Sequence, residues 1–229
     1  MTRRLAQGRQ LLLSCFPILV GIASCTTPAP PSASFTGSST RSPAPAEDKI
    51  ARGRFLVISH GCGDCHGGGS NPAAEGWLDG VRDSTQVFLI GAFVTRPKNI
   101  TPDITTGIGS FTERQLFNAL RYGLRPEETA DVEITSTVPG QGNFPLHPHF
   151  LAVPMPWPSW RHMPDDDLYA IAAYLKNGVR ASKHKVQDSD GPPDFWASEY
   201  TVAKIGSYPA IAFPSAKERP AGVAARGQR

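Results

Sequence analysis

Residues 52–66, RGRFLVISHGCGDCH, end in two cysteines that are separated by two residues and followed at once by a histidine. These three residues are Cys62, Cys65 and His66. Two thiols and an imidazole so close together are typical of a metal or redox centre, because both side chains bind metals and react more readily than ordinary packing residues. The kind of centre that these three residues form therefore decides which fold we expect for the chain.

The pattern Cys-x-x-Cys-His is typical of the covalent attachment of a c-type haem. Two thiols at this separation reach both vinyl groups on one edge of the porphyrin, and the imidazole that follows lies beneath the iron. Small Gly63 lets the backbone lie close to the ring. A zinc site would need a second ligand pair, a thioredoxin-like site a βαβ pattern, and a Cys62–Cys65 disulfide would close a strained ring. We therefore expect one haem c on Cys62 and Cys65, with His66 as an iron ligand.

A second axial ligand is expected among the methionines, because a thioether is a common partner of histidine in electron-transfer haems. Apart from Met1 the chain contains two, Met155 and Met163, both within PMPWPSWRHMPDDD at residues 154–167. Prolines on both sides of Met155 stiffen the chain and can hold its sulfur in place, whereas Met163 precedes a predicted helix and more often packs there. Met155 is the preferred ligand and Met163 the alternative. Three histidines are further alternatives, although each is more typical of a loop or surface position: His147, His149 and His162.

Two helices are predicted by periodicity and capping residues. Apolar residues recur at helical spacing over Asp165–Asn177, and Gly178 is the expected stop. Thr112–Gln115 forms a capping box for a second helix that Gly123 ends.

A further helix over about Glu47–Ser59 leads into the cysteine motif, and Gly53 would allow another helix to approach it closely. No hairpin signal stands out, and 22 Gly and 22 Pro among 229 residues favour long ordered connections. We expect an all-α fold of three to four helices around one covalent haem, with long irregular loops and a Pro-rich C-terminal tail.

The N-terminus is typical of an exported lipoprotein. Residues 1–10 carry three arginines and no acid, and residues 11–22 are mostly apolar but too short to span a bilayer. Ile22-Ala23-Ser24-Cys25 resembles a bacterial lipobox, so we expect Cys25 to carry the lipid and to hold the protein on the periplasmic side of a bacterial membrane. The alternative is ordinary signal cleavage with Cys25 incidental.

Composition divides the chain into four segments: a signal peptide at 1–24, a Pro/Ser/Thr-rich linker at 25–46, a haem domain at 47–178 and an irregular extension at 179–229. Three of the 23 basic residues lie in the signal peptide, which leaves 20 against 20 acids. This balance argues against a nucleic-acid partner, since phosphate binding needs clustered positive charge. Aromatic residues suggest that part of the extension packs: Phe195, Trp196, Tyr200 and Tyr208.

The order of helix, cysteine motif, helix, Met155 loop and final helix with Tyr174 resembles the class I (mono-haem) c-type cytochromes. Over residues 51–177 the chain is similar to exported cytochromes of bacterial respiratory chains, some of which are fused to, or act beside, quinoprotein and molybdenum dehydrogenases. Three stretches carry this likeness: RGRFLVISHGCGDCH, the NITPD stretch at 99–103 with TGIGSFTERQLFNALRYGLRP, and MPWPSW with DDDLYAIAAYLK. The resemblance implies that Met155 is axial and that the NITPD stretch lines the haem pocket. Residues 67–98 and 124–153 are longer than a minimal cytochrome requires.

The resemblance implies an electron-transfer protein rather than an enzyme. It would carry single electrons from a dehydrogenase or quinol-oxidising complex to a cytochrome or oxidase. The alternatives are a haem-based gas sensor or haem enzyme with a displaceable sixth ligand, a cytochrome subunit of a dehydrogenase complex, and a non-haem metal or thiol protein. Several side chains are candidates to contact the haem or its propionates, with ordinary packing or solvation as the alternative: Trp77, Trp157, Trp160, Arg96 and Lys98.

Overall fold

The computed structural model describes residues 45–83, 85–190 and 197–219. Cys25 and the predicted signal peptide and linker lie outside the described residues, as do Phe195 and Trp196. Six α-helices occupy the described ranges: α1 (Pro45–Ser59), α2 (Cys62–His66), α3 (Glu113–Tyr122), α4 (Trp157–Trp160), α5 (Asp165–Asn177) and α6 (Val202–Ile205). The structure is helix-rich with few strands, which is compatible with a cytochrome c-like fold. Among the described helices, none is both long enough and apolar enough to cross a membrane.

The crossing of α1 and α5 is the most extensive contact between helices. It depends on Gly53, because a Cβ at this position would lie 1.9 Å from the carbonyl oxygen of Ala170 and 2.7 Å from Cβ of Tyr174. The predicted close approach at Gly53 is therefore confirmed. α1 begins two residues before the expected start, and α5 has the predicted bounds.

The predicted capping box of α3 is confirmed. Thr112 Oγ1 accepts a hydrogen bond from the amide of Gln115, and Gln115 Oε1 accepts one from the amide of Thr112, both at 3.1 Å. Gly123 ends the helix with φ of 71°, a left-handed conformation that glycine adopts at little cost. Leu116 and Leu120 on the buried face of α3 then join the core.

A short hairpin was not expected from the sequence, and the structure corrects this. Antiparallel strands β1 (Phe88–Ile90) and β2 (Phe93–Thr95) pair across a two-residue turn in which Gly91 has φ of 58°. The strands have three residues each, and Phe88 and Leu89 are exposed, so no alternation of buried and exposed residues marks them. Val94 also exchanges two backbone hydrogen bonds with Asp190, which attaches the extension to the hairpin.

The buried apolar residues form two clusters. The main cluster lies between α1, α3 and α5 and includes Cys62 of the motif. A second cluster of Leu124, Ile134 and Phe144 lies within the long segment 124–153. That segment therefore has a small core of its own beside the end of α3.

Candidate haem site

The cysteine motif forms α2, a helix of only five residues. Gly61 and Gly67 flank it with φ of 66° and 100°, conformations that disfavour other residue types and end the helix on both sides. Cys62 is 8% exposed and belongs to the main core cluster, whereas Cys65 is exposed to solvent. Both thiols are free. One thiol therefore faces the core and the other the surface, on the same turn of chain.

His66 is oriented by a hydrogen bond from Nδ1 to the carbonyl oxygen of Lys98, at 2.7 Å. A carbonyl oxygen accepts only, so Nδ1 carries the proton and Nε2 is the nitrogen with a free lone pair. Burial lowers the pKa of His66, which favours the neutral form of the ring. A neutral imidazole with one nitrogen fixed by a backbone carbonyl is the usual form of a metal-binding histidine.

Asn99, the residue after Lys98, ties this part of the backbone to the extension. Nδ2 of the Asn99 side chain donates to the carbonyl oxygens of Ser182 and His184, at 2.8 and 3.0 Å. Oδ1 of the same side chain accepts from the backbone amide of Thr101 at 2.9 Å. The side chains of Asn99 and Thr101 thus form hydrogen bonds both within this loop and to the extension. Sequence reasoning missed this support of His66, although Asn99 lies in the NITPD stretch that the resemblance had marked.

Both thiols of the motif hold their protons more tightly than a free cysteine does. Burial raises the pKa of Cys62 to about 12 and also raises that of Cys65. Reactive and metal-binding cysteines need the opposite shift, because the thiolate is the nucleophile and the ligand. Among the described residues there is also no group of three or more His, Cys, Asp or Glu that could hold a metal ion.

The structure adds a second reason for the small size of Gly63. A Cβ at Gly63 would lie 2.1 Å from the carbonyl oxygen of Gly69 and 2.5 Å from Cζ3 of Trp77. The glycine thus lets the loop after the motif fold back on α2. Trp77 in turn donates from Nε1 to the hydroxyl of Tyr174 at 3.2 Å, so the N–H of this candidate haem contact is bonded within the core.

The structure brings both candidate methionines to one core cluster. Met155 and Met163 are partly buried, and each packs against the cluster that contains Cys62. The amide of Met155 donates to the carbonyl oxygen of Ala152, and the amide of Met163 donates to that of Trp160. Both therefore stay candidates for the second axial position.

The three alternative histidine ligands lie at the surface, as the sequence predicted. His147 and His162 are exposed, and His149 pairs with Glu128 at 3.1 Å. The basic candidates for propionate contact are engaged by the extension. Arg96 donates to Asp188 and Asp190, and Lys98 to the carbonyl oxygen of Gln187.

Taken together, the donors fit a covalent haem better than another centre. Two free thiols stand on one helical turn, the adjacent imidazole presents Nε2, and a thioether can be supplied by the same core cluster. Histidine and methionine are the axial pair of many electron-transfer haems.

Comparison with known proteins gives relatives of one kind, although no family model matches the chain. It is 29% identical over 143 residues to the gluconate 2-dehydrogenase cytochrome c subunit of Pantoea cypripedii, covering 62% of this chain and 26% of that protein. It is 28% identical over 138 residues to the fructose dehydrogenase cytochrome subunit of Gluconobacter japonicus, covering 57% and 21%. It is also 28% identical over 148 residues to the cytochrome c subunit of a quinone alcohol dehydrogenase from Gluconobacter oxydans, covering 64% and 25%.

The chain thus spans about a quarter of the length of the curated relatives that it matches. These relatives are cytochrome c subunits of dehydrogenases, and they support a c-type cytochrome with covalently bound haem c. They are electron-transfer subunits rather than catalytic ones.

Proposed function

We propose that this protein is the electron-transfer component of a dehydrogenase system and carries one haem c. The observation that carries the proposal is the motif on α2, in which His66 Nδ1 donates to the carbonyl oxygen of Lys98 and leaves Nε2 for iron. The names of the relatives favour a cytochrome subunit of a dehydrogenase complex over a freely diffusing carrier. The chain would accept electrons from a catalytic partner and pass them to a cytochrome or oxidase.

In this proposal Cys62 and Cys65 form thioether bonds to the haem, and His66 Nε2 and the sulfur of Met155 are its axial ligands. The haem supplies a one-electron couple between ferric and ferrous iron. Cys62 belongs to the same buried cluster as Leu56 and Trp160, and these core side chains would exclude water from the haem at this attachment point. Proteins set the reduction potential of a haem through the polarity of its surroundings and through its axial ligands, of which a thioether is one.

The location of the protein is part of the same proposal. Lipidation of Cys25 would hold it on the periplasmic side of a bacterial membrane, with residues 26–46 as a tether. Mass spectrometry of the mature N-terminus tests this assignment. A diacylated or triacylated Cys25 supports it, and an unmodified N-terminus contradicts it.

The first experiment is an optical spectrum of the full chain produced with a haem c maturation system. We expect a pyridine haemochrome of c type, a low-spin spectrum in both oxidation states, and no spectral shift when CO is added to the reduced protein. Absence of covalent haem would overturn the proposal. A high-spin spectrum with avid CO binding would instead favour the gas-sensor or haem-enzyme alternative.

The second experiment separates a subunit from a free carrier. A tagged chain is purified from its native membranes, and haem reduction is followed after addition of fructose, gluconate or an alcohol, the substrates named for the relatives. Co-purification of a catalytic polypeptide with substrate-dependent reduction supports the subunit role. A His66→Ala chain, carried through the same purification, controls for electrons that bypass the haem.

A further inference from the structure

The extension returns to the segment that carries Met155 and binds it on both sides. Tyr200 donates its hydroxyl to the carbonyl oxygen of Leu151 at 2.7 Å. Its ring lies 4.8 Å from the ring of Trp157 and 5.2 Å from that of Phe150, centroid to centroid. Leu151 is four residues before Met155 and Trp157 two residues after it. One aromatic side chain of the extension therefore contacts both ends of this loop.

A second contact lies further along the same segment. Arg161 is 6% exposed, and its Nη2 donates to the carbonyl oxygens of Ile205 and Gly206 at 2.8 and 2.9 Å. The ring of Tyr208 lies 5.7 Å from the guanidinium of Arg161 and 5.3 Å from that of Arg121. Arg121 in turn donates to the carbonyl oxygen of Arg161 and to Asp165. A buried guanidinium needs such partners, because an unpaired charge is costly to bury.

The loop between these two contacts is restrained by its own hydrogen bonds, burial and prolines. Leu151 donates its amide to the carbonyl oxygen of Gly123 at 2.7 Å, and Met155 donates to that of Ala152 at 2.9 Å. Trp157 is 3% exposed, and Pro154, Pro156 and Pro158 limit φ along the way. The extension therefore holds Leu151, Trp157 and Arg161, on both sides of Met155, which restrains the backbone of the loop that carries the Met155 side chain.

We propose that residues 197–208 form a strap that positions Met155 for iron binding, with Tyr200 and Tyr208 as its positioning residues. This inference rests on the proposed function, because it assigns a task toward the haem. Detaching the strap would free the loop and weaken the thioether–iron bond without touching Cys62, Cys65 or His66. The strap would thereby set how readily an external ligand displaces Met155.

The test compares two tyrosine variants that lose the same kind of bond. Tyr200→Phe removes the bond to Leu151 and keeps the ring. Tyr122→Phe is the matched control, because the hydroxyl of Tyr122 donates to the carbonyl oxygen of Ile134 at 2.9 Å, away from the strap contacts on the Met155 loop. Phenylalanine keeps the ring contact between residue 122 and Tyr208. A third variant, Tyr200→Ala, also removes the ring contacts with Phe150 and Trp157.

Two readouts are taken on the full, haem-loaded chain. The first is the affinity of the ferric protein for imidazole, together with the absorption band of a thioether bound to ferric iron. The second is amide hydrogen exchange at Leu151 and Met155. We expect Tyr200→Phe to bind imidazole about fivefold more tightly, the value of one net hydrogen bond, and to exchange faster at both amides. Tyr200→Ala should show a larger change, and Tyr122→Phe should match the wild type.

Unchanged imidazole affinity and amide exchange in Tyr200→Ala would overturn the inference. So would equal changes in Tyr200→Phe and Tyr122→Phe, since these would reflect stability alone. A wild-type chain with haem c but no thioether absorption would overturn the strap's role and leave an electron carrier standing. Absence of covalent haem, seen in the pyridine haemochrome, would overturn the proposed function as well.

Discussion

Neighbouring side chains of the motif have different surroundings, and these differences suit different tasks. Cys62 is buried in the core and Cys65 is exposed, so the haem edge that both would attach to would lie where the core meets the surface. An exposed edge is useful to an electron carrier, because electrons must pass to a partner there. His66 is fixed by Lys98 from the side opposite its free nitrogen, which sets the direction of the proposed iron bond.

Met155→Ala is expected to open the sixth coordination position of the loaded protein. The ferric spectrum should change toward high spin, and the reduced protein should bind CO, because no thioether then competes for iron. Met163→Ala is the matched control, since both methionines pack on the same core cluster. The reverse pattern, with CO binding only in Met163→Ala, would assign the ligand to Met163 instead.

Asp103 is expected to make stability fall at low pH. Hydrogen bonds from the hydroxyls and amides of Thr105 and Thr106 lower the pKa of Asp103 from 3.8 to about 2. A lowered folded-state pKa stabilises the protein above the unfolded pKa, and this contribution is lost as the pH falls from about 4 toward about 2. Denaturant unfolding across this range should show a smaller decline for Asp103→Asn than for the wild type. An equal decline in both would assign the acid sensitivity to other carboxyls.

The helices of the described structure depend on a few contacts between specific backbone positions. α1 and α5 approach closely at Gly53, and α3 begins and ends at residues that satisfy its free backbone groups. The strands of the hairpin, by contrast, are too short to be stable alone and are joined by Asp190 of the extension. Helix pairs thus form the frame of the proposed haem site, and the extension completes it.

Gly53→Ala is expected to destabilise the protein although alanine favours helices over glycine by about 1 kcal/mol. The new methyl group would overlap the carbonyl of Ala170, and such overpacking typically costs about 1–3 kcal/mol or more. The free energy of unfolding, measured in denaturant, should fall by an amount in this range. Arg54→Ala is the control, because Arg54 is the next residue of α1 and is exposed. A gain of stability in Gly53→Ala would contradict the observed crossing.

The molecule as a whole combines a helical core with two additions. One addition is the segment 124–153 with its cluster of Leu124, Ile134 and Phe144. The other is the extension, of which residues 182–190 contact the loop behind His66 and residues 197–208 contact the Met155 loop. One C-terminal segment of chain therefore contacts both the loop behind His66 and the loop of Met155, the two proposed axial ligands.

Phe144→Ala is expected to destabilise the protein while leaving the haem spectrum unchanged. The buried residues of its cluster are distinct from those of the main one, with Tyr122 packed against both, and truncation of a buried phenylalanine costs about 3–5 kcal/mol. Leu168→Ala in the main cluster is the matched comparison, because Leu168 is fully buried among the same residues as Cys62. We expect that variant to alter both unfolding and absorption. A spectral change in Phe144→Ala would show that the second cluster also supports the site.

Features that depend on neighbouring residues were predictable from the sequence. The bounds of α3 and α5 follow from capping residues and helical periodicity within a few residues of each end. The haem motif is likewise read from five consecutive residues, because thiols and imidazole must stand at fixed separations to meet one porphyrin. The close approach at Gly53 was also predictable, because a glycine within a helix has no side chain and leaves room for another helix.

Contacts between distant residues required the folded chain. His66 and Lys98 are 32 positions apart, and Tyr200 and Leu151 are 49 apart. Every residue has a backbone carbonyl, so the residue type of Lys98 does not show that its carbonyl oxygen accepts the hydrogen bond from His66. The Met155 loop and the extension show no periodicity, because their positions come from single hydrogen bonds and ring contacts rather than from a repeated apolar face. Local chemistry therefore specifies the motif and helices, while long-range packing specifies how the proposed axial ligands are held.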